Sequence, residues 1–247
     1  MRIPRVFTAA LDPDGREPVM LDERASRHLR TVLRLRPGAR IRLFDGRGWD
    51  LEAELVHAPR RGPLTARPLR RVAVHNESPL PVTLCQGISR GERMDYTLQK
   101  SVELGVARIL PVWTERSACR LSGERLRRRL AHWRGVILSA CEQCGRARIP
   151  TLDPPVEVAA LHPPKDPGTI PLMLDPEAGD GLNTLEQVTP AVWILAGPEG
   201  GLSPPERRAL RAAGFRGVRL GPRILRTETA AVAALAAVQM RWGDLGS

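Results

Sequence analysis

The chain has 247 residues, 42% of them hydrophobic, and a formal net charge of +11 at pH 7. That apolar fraction suffices for a packed core in one large domain or two smaller ones. The N-terminus lacks an apolar stretch of signal-peptide length and no run approaches a membrane span, so a cytoplasmic protein is expected.

Residues 1–74 carry 16 Arg and 9 acidic residues, a net charge of +7. Glu23–Leu33 reads as a helix. The runs 39–44 and 50–56 alternate polar and apolar residues around Asp45-Gly46-Arg47-Gly48, a β-hairpin signal. Several short strands with one helix suggest a small β-barrel. His75–Pro81 is a polar, Pro-containing linker, which predicts one domain over 1–74 and a second over 75–247.

Beyond the linker, strand and helix patterns alternate, the mark of a mainly parallel sheet. Strands are predicted at Val82–Gln86, Ile109–Val112, Ile170–Leu174, Ala191–Ile194 and Val218–Leu220, and helices at Glu92–Leu104 and Ser122–Cys144. Gly105 takes the C-terminal cap position of the first helix. Along the second, Leu126, Leu130, Trp133, Ile137, Ala140 and Cys144 follow steps of three and four residues, an apolar stripe. Residues 151–168 are Pro-rich and predict a surface connection.

Two segments carry the chemistry. In the first, the apolar run ending Leu195-Ala196 meets Gly197-Pro198-Glu199-Gly200-Gly201-Leu202-Ser203-Pro204-Pro205-Glu206. Ser203 with Glu206 forms a capping box, and Pro204 sits at the first helical position. In the second, Leu220-Gly221-Pro222-Arg223-Ile224-Leu225-Arg226 precedes Thr227-Glu228-Thr229, which opens an Ala-rich helix ending near Trp242. Each is strand, glycine loop, helix start. In an open α/β sheet ligands bind outside the carboxyl ends of strands, although a tight turn without a ligand has the same local pattern. Neither loop is a G-x-G-x-x-G or G-x-x-x-x-G-K-[ST] element, which disfavours a dinucleotide or nucleoside triphosphate.

The net charge points to a polyanionic partner. The basic cluster Arg24, Arg27, His28, Arg30, Arg34, Arg36, Arg40 and Arg42 creates a strong local positive field. A solvated basic face is the alternative. Of four cysteines, Cys141 and Cys144 stand one helical turn apart; no second close pair completes a zinc site, and no metal is expected.

GPEGGLSPPE at 197–206 and LGPRILRTETA at 220–230 resemble the two C-terminal motifs of the 16S rRNA uracil-3-N-methyltransferases, a branch of the knotted SPOUT methyltransferases. SRGERMDYTLQKSVELGV at 89–106, ERS at 115–117, ACEQCGRARIP at 140–150, the N-terminal MRIPRVF and HLRTVLR at 28–34 match as well, in the family's order across essentially the whole chain. The resemblance implies an α/β-knot domain with a deep trefoil knot and a PUA-like or OB-like N-terminal barrel. It implies a homodimer acting on 16S rRNA of the small ribosomal subunit, with S-adenosylmethionine as methyl donor and N3-methyluridine as product. A SPOUT enzyme acting on another rRNA or tRNA site, and a non-catalytic RNA-binding module, are the alternatives.

For the cofactor, the resemblance implies Leu174, Leu195, Ala196, Gly197, Gly200, Gly201, Leu220, Gly221, Ile224, Leu225 and Thr229. Ile224 and Leu225 would serve as apolar walls, or as plain core. Uridine N3–H must lose its proton to attack, and a cation near O2 or O4 would stabilise the developing charge. Arg226 is the first candidate. Glu199 or Glu228 could accept the proton; equally, Glu228 could stabilise a helix N-terminus and Glu199 shape its loop. RNA contacts are expected from Arg2, Arg5, Arg27, His28, Arg30, Arg34, Arg90, Lys100 and Arg146. Glu142, Gln143 and Arg146 reach the site from the long helix or organise a partner subunit.

Overall fold

A computed structural model describes all residues except 1, 2, 10, 13–15, 60, 118, 119, 165–167, 186–189 and 247. The chain divides into two compact units, one of residues 1–77 with 141–149 and one of 78–140 with 150–247.

The first unit is a five-stranded sheet in the order β1-β3-β4-β5-β2. Its strands are β1 (Arg5–Phe7), β2 (Val19–Met20), β3 (Arg40–Phe44), β4 (Trp49–His57) and β5 (Thr65–Ala73). β3 and β4 form the expected antiparallel hairpin, with Gly46 (φ 90°) and Gly48 (φ 96°) supplying the left-handed backbone of its turn. β1 pairs with β3 in parallel, and no pairing joins β1 to β2 among the described residues, so the sheet is a half-barrel. Its interior holds Val6, Leu21, Leu29, Ile41, Leu43, Leu51, Leu55 and Leu64, each at most 1% exposed.

The helix predicted at 23–33 is composite. α1 (Glu23–Arg27) is capped by Asp22, whose carboxylate accepts from Ala25 N at 2.7 Å, and it continues as a π-helix over His28–Val32. Residues 141–149 pack against the hairpin turn: Gly48 N donates to Ala147 O at 3.0 Å, and a Cβ on Gly46 would stand 2.7 Å from Ile149 Cδ1. That segment joins the first unit through pairings distant in sequence, which local patterning does not register.

The second unit is a seven-stranded parallel sheet. Its strands are β6 (Val82–Gly87), β7 (Arg108–Trp113), β8 (Thr151–Leu152), β9 (Val156–Glu157), β10 (Thr169–Leu174), β11 (Ala191–Ala196) and β12 (Arg216–Val218). The order is β12-β10-β11-β6-β7-β8, with β9 also on β7. Residues 151–168 were expected to be a surface connection. The structure corrects that: β8 and β9 extend the sheet on either side of Pro154 and Pro155, which cannot donate to a ladder. β12 also lies earlier than the predicted 218–220; its register against β10 ends at Val218, leaving Arg219 and Leu220 in the loop.

Among the described residues, four α-helices flank this sheet: α2 (Glu92–Glu103), α3 (Gly123–Cys144, whose last turn belongs to the first unit), α4 (Pro204–Ala212) and α5 (Thr227–Trp242). Gly105 terminates α2 at φ 78° and donates to Val102 O. The stripe on α3 is inward: Leu130, Trp133, Ile137 and Ala140 are buried. α5 packs on α2, β11 and β6 through Ala231, Ala234, Leu235 and Val238, where small alanines allow close approach. Among the described residues no helix is long and apolar enough to cross a membrane.

Candidate active site

Because β6, β10, β11 and β12 are parallel, their carboxyl ends share one edge of the sheet. Four loops meet there: 88–91, 175–181, 197–203 and 219–226. At that edge α4 begins with the predicted capping box. Ser203 Oγ accepts from Glu206 N at 3.4 Å, and Glu206 Oε2 accepts from Ser203 N at 2.7 Å.

The ERS segment is fastened to this loop. Glu115 N donates to Glu206 Oε1 at 2.7 Å and Arg116 Nη1 to Gly200 O at 2.8 Å. A Cβ on Gly200 would lie 2.9 Å from Arg116 Cβ, so this glycine exists to admit Arg116. The neighbouring Gly201, at φ 69°, has open space before its missing side chain.

Glu199 accepts from the backbone N–H of Arg90 at 3.0 Å and from Arg93 Nη1 at 3.1 Å. Partial burial alone would raise its pKa, but these donors hold it below the usual carboxylate value. A carboxylate held ionised in this way is a weak base and a firm anchor. Glu228 differs. Its Oε1 is 4.0 Å from Arg93 Nε, and its buried Oε2 has no partner among the described residues.

Two groups that sequence reasoning missed hold the loops together. Gln86, fully buried at the end of β6, donates through Nε2 to Gly87 O at 2.9 Å and Thr227 Oγ1 at 3.0 Å. Thr227 Oγ1 in turn donates to Gly197 O at 2.6 Å. A Cβ on Gly87 would stand 2.5 Å from Pro198 N, so the backbones are in direct contact. Asp175, 2% exposed, receives Arg211 Nη2 at 2.8 Å and Arg207 Nη1 at 3.3 Å, while its N–H donates to Val218 O. The only local signal for either was a polar residue closing an apolar strand.

The 219–226 loop crosses from β12 to α5. Leu220 and Leu225 are half-buried, while Ile224 is 86% exposed. Gly221, at φ 74°, also faces open space. Arg226 occupies the N-cap position of α5, is exposed and makes no ion pair among the described residues. Leu174 is half-buried at the end of β10, Leu195 and Ala196 are buried in β11, and Thr229 is exposed in the first turn of α5.

The residues expected to meet RNA fall into different environments. Arg27 and Arg34 are exposed, His28 is half-buried, and Arg34 holds a left-handed backbone at φ 52°. Arg30 donates to Gly62 O. Arg90 is exposed, and Lys100 pairs with Glu103 at 2.8 Å. Arg5 and Arg146 correct the expectation of surface contacts. Arg5 is clamped to Asp50 by bonds of 2.8 Å from both Nε and Nη2, donates to Cys141 O, and lies over the Phe44 ring at 3.7 Å. Arg146, 6% exposed, is bound to Glu77 at 2.8 Å and 2.9 Å. A guanidinium neutralised and buried this way has no free charge to offer a phosphate. Glu142 is likewise occupied by Arg24 and by Phe7 N, and Gln143 is exposed. Arg2 lies outside the described residues.

Burial pushes the Cys85 and Cys141 thiols up to about 12, which leaves them unreactive. Among the described residues no cluster of His, Cys, Asp or Glu is placed to hold a metal; Cys119 lies outside them.

The RNA methyltransferase domain family matches residues 76–239, and the RNA methyltransferase PUA domain family matches 21–68. A ribosomal RNA small subunit methyltransferase E of Mycobacterium bovis is 36% identical over 93% of this chain and 90% of its own, and that of Buchnera aphidicola is 31% identical over 99% and 98%. The chain belongs to the ribosomal RNA small subunit methyltransferase E family. Among solved structures, the Neisseria gonorrhoeae methyltransferase E bound to S-adenosyl methionine superimposes with a TM-score of 0.90 at 40% identity, covering 99% of this chain and 100% of that one. A Legionella pneumophila methyltransferase in complex with its cofactor gives 0.94 at 36% identity with the same coverage. The parallel sheet and the PUA match place this methyltransferase E family member among α/β RNA methyltransferases with an N-terminal PUA domain.

The loops fit a cofactor of the kind held by those relatives. Gly201 and Gly221 turn bare backbone toward open space in the loops after β11 and β12, and Ile224 stands uncovered in the second of these loops. Bare backbone and an apolar wall suit a ligand with a flat ring and polar edges.

Proposed function

We propose that this chain transfers a methyl group from S-adenosylmethionine to N3 of a uridine in 16S rRNA of the small ribosomal subunit. On this reading residues 1–74 form an RNA-binding domain and 75–247 the methyltransferase domain. The latter is threaded as a trefoil knot and acts as a homodimer. The observation that carries the reading is the convergence of the 197–206 and 220–230 motifs on one sheet edge, joined through Thr227 Oγ1 to Gly197 O.

The bound cofactor supplies an electrophilic methyl group on sulfur. The 174, 195–201 and 220–225 segments fix its position through backbone groups, with Leu174, Leu220, Ile224 and Leu225 excluding water from its apolar parts and Thr229 bordering the site. Glu199 keeps the 197–201 loop in place through Arg90 N and Arg93. Arg226, a cation with no protein counter-ion among the described residues, stabilises negative charge on the uracil oxygens as N3 loses its proton. Glu228 accepts that proton, having a buried oxygen without a partner.

The deciding experiment incubates the protein with S-adenosylmethionine and small ribosomal subunits lacking the modification, then maps the RNA by mass spectrometry. A single new N3-methyluridine in 16S rRNA is expected. Methylation of a ribose, of another base, or of tRNA alone would overturn the reading.

A further inference from the structure

The first half of α3, with the three residues before it, carries an unusual share of the charge. Residues 120–134 contain six arginines and one glutamate, a net charge of +5, whereas 75–247 as a whole sum to +4. Everything else in that part of the chain therefore sums to −1. The excess is confined to this one segment, five of its six arginines on α3, and lies far in sequence from the basic N-terminal cluster.

Its arrangement is directional. Arg125, Arg128, Arg129 and His132 sit at steps of three and four residues on one face, away from the buried stripe of Leu130, Trp133 and Ile137. With Leu121 they line an open groove of about 360 Å³. The one acid of residues 120–134 is already engaged, because Glu124 binds Arg127 at 2.6 Å and Arg128 at 3.3 Å. His132 is held by Asp95 of α2 at 2.7 Å. Arg125 and Arg129 are left without a carboxylate partner among the described residues.

These two are one i,i+4 step apart, a rise of roughly 6 Å along the helix, comparable to the separation of successive phosphates on an extended RNA strand. Planar guanidinium groups grip phosphate oxygens in pairs, and their faces and methylene stems give bases a surface to stack on. Uncompensated like charges this close repel one another; a solvated face has no use for them, and a polyanion removes the repulsion.

We propose that the groove formed by Leu121, Arg125, Arg128, Arg129 and His132 docks the phosphate backbone of the RNA substrate, as a second contact zone separate from the N-terminal cluster. This rests on the reading of small-subunit rRNA as the substrate. The groove's contribution is to affinity and placement; it contributes no reacting group.

The test uses the full chain with Arg125 and Arg129 both changed to Ala, and a companion with both changed to Lys. Binding to small ribosomal subunits is followed as a function of salt, and S-adenosylmethionine affinity is measured by calorimetry as a control for folding. Losing two phosphate contacts flattens the slope of log affinity against log salt by about 1.4, at roughly 0.7 per single-stranded contact. The alanine pair should bind on the order of tenfold or more weakly, with cofactor affinity unchanged, and the lysine pair should keep the wild-type slope. An alanine pair with wild-type affinity and slope overturns the groove alone, as does a lysine pair that loses the slope equally. Wild-type protein that neither binds nor methylates small subunits overturns the substrate reading and this inference with it.

Discussion

Gln86 and Thr227 lie 141 residues apart in the chain and share a hydrogen bond of 3.0 Å. Gln86 closes β6, Thr227 opens α5, and the threonine hydroxyl passes the link on to Gly197 O at 2.6 Å. Three segments that meet only in the folded chain are thus held by one buried relay. A relay of this kind fixes the 197–203 loop against the helix that follows the 219–226 loop, so the two sides of the site cannot drift independently.

Thr227→Val keeps the shape and removes the hydroxyl, leaving the Gly197 carbonyl and a Gln86 N–H unpaired. Stranding buried polar groups costs about 1–3 kcal/mol, which for a chain of this size lowers Tm by roughly 2–4 °C per kcal/mol. Thr227→Ser keeps the relay and should melt close to wild type. Thermal unfolding of both variants, with cofactor titration of the Val form, checks this; equal melting of Val and Ser would remove the relay from the account.

Adjacent glycines in the 197–201 loop serve different ends. Gly201→Val forces a β-branched residue into φ 69°, where left-handed backbone costs roughly 1–2 kcal/mol, and should weaken cofactor affinity. Gly201→Asn, which tolerates that conformation, should retain most of it. Gly200→Ala acts elsewhere, by pushing on Arg116 Cβ at 2.9 Å. It should therefore be rescued by Arg116→Gly, which the Gly201 variants should not be. Calorimetric affinities across the set distinguish the two positions.

The carboxylate of Glu199 has a folded pKa below its ordinary value of 4.5. A group shifted down stabilises the folded state above its unfolded pKa, and that contribution is lost as pH falls through the folded value. The wild-type loop should therefore loosen only as pH drops below about 4.5. Glu199→Gln should flatten that acid limb and weaken cofactor binding at neutral pH. Affinity measured from pH 7 down to acid conditions checks it; parallel profiles for the two proteins would mean the carboxylate does not anchor the loop.

In the first unit, Asp50 holds Arg5 by two bonds of 2.8 Å, with side-chain exposures of 2% and 6%. Breaking a buried pair from one side costs about 3–5 kcal/mol. Asp50→Ala should lower Tm on the order of 10 °C by the same size scaling. Arg5→Gln should likewise act on stability and leave the salt dependence of RNA binding alone, in contrast to Arg27→Ala with Arg34→Ala, which should make that dependence shallower. A changed salt slope for folded Arg5→Gln would return Arg5 to the RNA surface.

What could be read from the chain was local. The capping box at Ser203, the C-cap at Gly105, the hairpin at Asp45–Gly48 and the strand–loop–helix order depend on neighbours within a turn or two. Pairings between distant segments left no such trace. Asp175 shows as a polar residue after a strand, and its two arginines lie on α4. Arg5 and Arg146 look like any other arginine of a basic chain until Asp50 and Glu77 are found beside them. The short strands β8 and β9 were hidden by Pro154 and Pro155, whose usual meaning is a loop. The resemblance to a family named the two glycine loops as a site, while the relay behind them, Gln86 to Thr227, was visible only in three dimensions.

Arg226 bears on the chemistry itself. It is the N-cap of α5 yet makes no side-chain capping bond, it is exposed, and no acid pairs with it among the described residues. The positive end of a helix dipole is a poor place for a cation. The position is therefore costly unless an anion arrives, and on the proposed reaction the uracil becomes one as N3 is deprotonated. A contact that strengthens as charge develops lowers the barrier more than it tightens the ground state. Arg226→Lys keeps the charge and loses the planar fork, so kcat should fall on the order of a hundredfold or more while KM for the small subunit and cofactor affinity change little. Raising pH should restore part of the rate, since a more basic medium deprotonates more uracil without the arginine's help. Single-turnover kinetics on small subunits at two pH values decide the matter: a normal chemical step with weaker RNA binding would make Arg226 a phosphate contact and leave the developing charge to another group.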